Sequence, residues 1–154
     1  MPISLEAFAD KLNEIMPLAF KELTKKLTME LHKNKITLPQ FFVLEFLSRE
    51  GGSKMTELAH FMNVTTAAMT GIVDRLVREE YIERIYDKND RRIIKVKLTN
   101  AGNILVRKTC ERKQQMIIKI FEKISEADRE HYLRILKQVN KILLEESDAG
   151  KRER

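Results

Sequence analysis

Near residue 80 the spacing of apolar residues changes from helical to alternating. That change constrains the fold more than any other feature of the chain. Upstream of it, Met69, Ile72, Val73 and Leu76 recur at the spacing of one helix face. Downstream, Tyr81-Ile82-Glu83-Arg84-Ile85-Tyr86 reads as a strand, and Ile94, Val96 and Leu98 alternate with Ile93, Lys95 and Lys97 in a second. The polar run Asp87-Lys88-Asn89-Asp90-Arg91-Arg92 lies between them, so the pair is predicted to form a β-hairpin with a charged tip. Just before the change, residues 56–62 spell a short helix with Leu58, Ala59 and Met62 inward, and Met62-Asn63-Val64 a tight connection. Thr65 caps a helix running to about Glu80. A short helix, a tight turn, a capped helix and a hairpin form the winged helix-turn-helix plan.

The flanks are helical. Residues 4–32 place Leu5, Phe8, Leu12, Ile15, Ala19, Leu23 and Leu27 on one stripe, with Ser4 as cap and Pro17 expected to kink the helix. Asn34 and Lys35 break it, Thr37-Leu38-Pro39-Gln40 starts the next helix, and Gly51-Gly52 ends that one. Thr99 caps a helix over about 100–123. Ser125-Glu126-Ala127-Asp128 opens the last, whose Leu133, Leu136, Val139 and Leu143 are expected to face inward. The fold class is therefore mostly α with a small β-hairpin wing (α+β). The expected organisation is a winged helix-turn-helix lobe over 37–99 within a single chain of 1–154, with 4–32 and 100–146 as a helical dimerisation region.

Composition narrows the partner. The chain has 154 residues and a net charge of +6, a basic surplus that favours an anionic partner such as nucleic acid. One cysteine, Cys110, allows no internal disulfide and points to a reducing compartment. The start Met1-Pro2-Ile3-Ser4-Leu5-Glu6 lacks a signal-peptide pattern, and no apolar run approaches the ~18 residues of a membrane span. A cytoplasmic protein is expected. His32, His60 and His131 have no ligand spacing, so no metal and no cofactor are implied. No phosphate loop or nucleophile elbow is present, and the paired carboxylates Glu79-Glu80 and Glu145-Glu146 read as solvated faces, which argues against an enzyme.

A helix of this kind fits the DNA major groove, braced by the helix before it, while the hairpin reaches a neighbouring groove. The candidate contacts on the second helix are Thr65, Thr66, Ala67, Thr70, Gly71, Arg75 and Arg78, with Asp74 on the same outward face. That face is small and poor in cations, so hydrogen-bond readout is expected to be sparse. Thr and Ala can meet thymine methyl groups, and Gly71 lets the backbone approach closely.

Three segments carry a resemblance. They are Thr37-Leu38-Pro39-Gln40-Phe41-Phe42-Val43-Leu44, then Glu57-Leu58-Ala59 through Val73-Asp74-Arg75-Leu76, then Asp90-Arg91-Arg92 followed by Leu98-Thr99-Asn100-Ala101-Gly102. In this order and spacing they resemble the MarR family of regulators, over nearly the whole chain. The resemblance implies a homodimer built through the first and last helices, a palindromic double-stranded DNA operator, repression, and relief by a small aromatic or apolar effector. It also implies that Asp90 orients an arginine entering the minor groove, Arg92 with Arg91 as competitor; Lys88, a further candidate DNA contact read from the residues alone, suits a phosphate or plain solvent equally. The family often carries a larger polar or basic residue where Gly71 stands. Lys95 and Lys97 suit phosphates or plain solvent equally.

The alternative is a winged-helix module that binds protein and never touches DNA. The charged tip argues against it. Cys110, Ile117 and Ile124 share a seven-residue spacing, which suggests a buried packing position for the cysteine rather than a redox switch.

Overall fold

The structure, a computed structural model, describes residues 3–86, 88–90 and 93–152, with side chains as far as residue 146. The elements run α1 (Leu5–His32), α2 (Leu38–Glu50), β1 (Ser53–Lys54), α3 (Met55–Phe61), α4 (Thr66–Arg78), β2 (Ile82–Tyr86), β3 (Ile94–Leu98), α5 (Asn100–Phe121) and α6 (Glu126–Arg152). They divide between two compact units, Met1–Glu111 and Arg112–Arg154. Fold class and element order follow the sequence reading. No helix among the described residues is long and apolar enough to cross a membrane.

Each boundary has a local cause. Ser4 caps α1 by accepting from the Ala7 N–H at 3.2 Å, and α1 runs unbroken through Pro17. It stops where Lys35 takes a left-handed φ of 55° and the Ile36 N–H turns back to the Leu31 carbonyl. A capping box starts α2: the Thr37 N–H donates to Gln40 Oε1 at 2.8 Å, and the Gln40 N–H donates to Thr37 Oγ1 at 3.4 Å. Gly51 ends α2 at φ 72°, donating to the Leu47 carbonyl, in a conformation that glycine adopts without steric cost.

The core of the first unit gathers Leu31, Ile36, Phe41, Val43, Leu44 and Leu47 with Leu58, Met69, Val73, Leu76, Ile82, Val96, Leu105 and Val106. Each large side chain of this kind contributes about 1.5–3 kcal/mol by leaving water. The wing is a three-stranded antiparallel sheet, ordered β1-β3-β2, rather than the expected two-stranded hairpin. Ser53 pairs with Val96, and Ile82 to Tyr86 pair with Leu98 to Ile94. The short β1 is fixed by Glu57, whose carboxylate accepts from the Lys54 N–H and the Ser53 hydroxyl, both at 2.8 Å. The same two bonds, the Lys54 N–H foremost, hold the Glu57 pKa below its ordinary value.

Two expectations about burial fail. In the second unit Leu133, Leu136, Val139 and Leu143 are exposed, as are Tyr132, Ile135 and Ile142 around them. In the first unit Leu5, Phe8, Leu12 and Ile15 of α1, which the sequence reading placed on one stripe without expecting burial within the chain, are exposed as well. Amphipathic spacing specifies a face that needs cover, not that the same chain supplies it. Nor does the seven-residue spacing of Cys110, Ile117 and Ile124 mean shared burial. Cys110 packs against the core half-buried, with its Sγ 3.8 Å from Glu45 Oε1, while Ile117 and Ile124 are exposed.

Candidate nucleic-acid interface

The geometry of the interface begins in the turn between α3 and α4. Asn63 takes a left-handed φ of 52°, a conformation asparagine tolerates better than most residues, and the Val64 N–H bonds the Ala59 carbonyl at 3.0 Å. The chain thereby reverses within four residues. Thr65 then caps α4 by accepting from the Ala68 N–H at 3.1 Å. Met69, Val73 and Leu76 are buried with Leu58 and Ala59 of α3 in the core, so α3 braces α4 from behind. That burial fixes which face of α4 stays in solvent. Thr65, Thr66, Ala67, Thr70, Gly71, Asp74, Arg75 and Arg78 are all exposed.

An ion pair ties this helix to the wing. Arg84 of β2 donates from its guanidinium to Asp74 Oδ1 at 2.5 Å. The sequence reading placed Asp74 on the outward face and gave Arg84 no role. The signal was present: two opposite charges ten residues apart, one in the later turns of the helix and one early in the next strand. Within the hairpin, Lys97 reaches Glu83 Oε1 at 3.2 Å, across the pair of residues that face each other in the ladder. Lys97 is thus engaged in the strand pair.

At the tip of the wing, Lys88 and Asp90 are exposed, and the Ile93 N–H donates to the Asp90 carbonyl at 3.0 Å. Asp87, Arg91 and Arg92 lie outside the described residues. The structure thus brings the helix candidates together on one face and links that face to β2. The arginines expected to enter a minor groove are placed by sequence alone.

The root of the wing is also built from hydrogen bonds. Glu80 takes a left-handed φ of 60° after α4, and the Tyr81 N–H returns to the Leu76 carbonyl. The Thr99 hydroxyl donates to the Glu80 carbonyl at 2.6 Å and accepts from the Gly102 N–H at 3.1 Å. The Thr99 N–H donates to the Tyr81 carbonyl at 3.1 Å. The start of β2 and the end of β3 therefore rest on one network.

Comparison with known proteins supplies the context for this geometry. The family profile described as "MarR family" matches residues 36–94. YpoP of Bacillus subtilis (strain 168), described as an uncharacterised HTH-type transcriptional regulator, is 30% identical over 122 residues, covering 79% of this chain and 86% of that one. The HTH-type transcriptional repressor MdtR of the same organism is 35% identical over 100 residues, 62% of this chain and 64% of that one. Among solved structures, Streptococcus pneumoniae FabT in complex with DNA superposes with a TM-score of 0.81 at 20% identity, covering 89% of this chain and 98% of that one, a likeness of fold.

Proposed function

The chain belongs to the MarR family of transcription regulators, and from that premise we propose that it is a repressor that binds a palindromic double-stranded DNA operator as a homodimer in the cytoplasm. Regulators of this family act by binding DNA and are not enzymes. The observation that carries the reading is the exposed, unburied face of α4 held against a braced helix-turn-helix and linked to a wing through Asp74 and Arg84. That arrangement suits insertion into a major groove with the wing over the flanking backbone. MdtR is a repressor by description, and FabT was solved with DNA. Both lend support by likeness.

In this reading Thr65 and Thr66 sit by phosphate at the helix N-terminus, and Ala67, Thr70 and Gly71 face base edges. Arg75, Arg78 and Lys88 add phosphate contacts, while Asp90, Arg91 and Arg92 form the minor-groove tip. Residues 37–99 act as the DNA-binding lobe, with 4–32 and 100–146 as the dimerisation region. A small apolar or aromatic effector would release the operator by shifting the distance between the two wings, and reciprocal linkage requires DNA to weaken that ligand equally. Titrating the homodimer into duplex DNA from the region upstream of its own coding sequence tests the core of this. Specific binding in the ~10⁻⁸–10⁻¹¹ M range, resistant to excess random competitor, is expected. Equal affinity for the competitor would overturn it.

The wing allows a test whose sign is informative. Arg92→Ala should weaken operator binding about tenfold, within the ~1–3 kcal/mol of one good contact, and flatten the log–log salt slope by about 0.9. Asp90→Ala should weaken binding too, although it removes a negative charge, because the carboxylate holds an arginine in place. Plain charge attraction gives tighter binding for Asp90→Ala, so that outcome would reject the orienting role.

A further inference from the structure

We infer that the first two turns of α4 read thymine methyl groups, and that Thr70 is the specificity-determining residue through its methyl rather than its hydroxyl. The inference rests on α4 entering the major groove and goes on to name what it recognises there. Thr70 Oγ1 donates to the Thr66 carbonyl at 2.9 Å, so its one hydroxyl proton is already used inside the helix. It cannot be given to guanine O6 or N7 or to thymine O4 without breaking that bond. The oxygen keeps only acceptor capacity, and the methyl is the part of the side chain that can make apolar contact. Thr65 is engaged as the cap, and it stands with Thr66 at the helix end that suits phosphate. Ala67 offers only a methyl group. Asp74 is the sole carboxylate of α4, and Arg84 holds it. What a groove presents to such a surface is the thymine C5-methyl, the one apolar group in the major-groove code.

Gly71 supports this independently. A glycine inside a helix is destabilising relative to alanine. Here φ is not left-handed, and a Cβ at this position would meet nothing within 4 Å. Nothing among the described residues therefore calls for glycine. A partner surface that approaches closer than a Cβ permits does call for it, and a groove wall carrying methyl groups is such a surface.

The test uses the full chain and a pool of random-sequence duplexes from which bound sequences are selected. Each enriched duplex is then remade with deoxyuridine in place of thymidine, which removes the methyl and keeps the base pair. Deoxyuridine at positions under α4 should lower affinity about fourfold per methyl, the ~0.8 kcal/mol of one buried carbon converted at ~1.4 kcal/mol per tenfold. Thr70→Val, which keeps the branched methyl and loses the hydroxyl, should bind more tightly than a variant that lacks the methyl. Thr70→Ser, which keeps the hydroxyl and loses the methyl, should bind about fourfold more weakly. Hydroxyl readout gives the opposite order of the two variants, and that order would overturn the methyl assignment. Enrichment with no deoxyuridine effect would also overturn it, while leaving DNA binding in place. No enrichment from the pool would overturn the DNA-binding reading and this inference together.

Discussion

Gly102→Ala should lower the melting temperature by about 6–12 °C, from a destabilisation of about 3 kcal/mol at roughly 2–4 °C per kcal/mol for a chain of this size. A Cβ on Gly102 would overlap the backbone carbonyl oxygen of Tyr81, lie 3.0 Å from its carbonyl carbon and press Leu98 Cδ2 at 3.2 Å. The obstructing atoms are backbone, and that backbone is not free to move. The Tyr81 carbonyl accepts from the Thr99 N–H, and Thr99 also bonds Glu80 and Gly102. Relief requires breaking the network at the root of the wing, which gives up hydrogen bonds of half-buried groups. Gly71→Ala is the internal control. It lies in an open helix interior, so it should raise the melting temperature by about 3 °C, from ~1 kcal/mol of helix propensity. Scanning calorimetry at one protein concentration for both variants settles the matter. Two upward shifts would mean that the close approach at Gly102 relaxes at little cost.

The contrast between these two glycines shows what a sequence reveals. Both read as helical glycines, and only the three-dimensional neighbour of each separates them. Elements long enough to show a period were legible: α4 through Met69, Ile72, Val73 and Leu76, and the hairpin through the alternation of Ile94, Val96 and Leu98. Caps at Ser4, Thr37, Thr65, Thr99 and Ser125 were legible because each acts within three residues of itself. The strand β1 was not, since two residues cannot display an alternation and its pairing comes from Val96 and Lys95, far along the chain. The bond between Asp74 and Arg84 was missed for a related reason: each charge looked complete as a solvated residue. Inwardness was misjudged in α6 because a stripe is a local property, whereas what covers it is not.

That uncovered stripe leads to the second large effect. Leu136→Lys combined with Leu143→Lys should turn a dimer into a single-chain species and lower operator affinity by at least a hundredfold. On α6, Tyr132, Ile135, Leu136, Val139, Ile142 and Leu143 recur at helical spacing, and every one of them is exposed in the single chain. A contiguous apolar face of this length is costly in water and marks an interface. In the proposed homodimer a twin copy would offer the same face, and an isologous two-fold contact would cover both at once. Two half-sites held by one dimer gain effective concentration worth roughly 10²–10⁴ in affinity, which a lone lobe loses. The fold of the first unit should survive, because its core runs from Leu31 to Val106 and does not include α6. Circular dichroism should keep its helical signature while sedimentation falls from twice the chain mass to one, and each half-site should still be bound weakly with a flatter salt dependence. A parent protein that sediments as a folded single chain at micromolar concentration would remove the dimer. A double variant that stays dimeric would move the interface to another surface, and the exposed Leu5, Phe8, Leu12 and Ile15 of α1 would be the next residues to change.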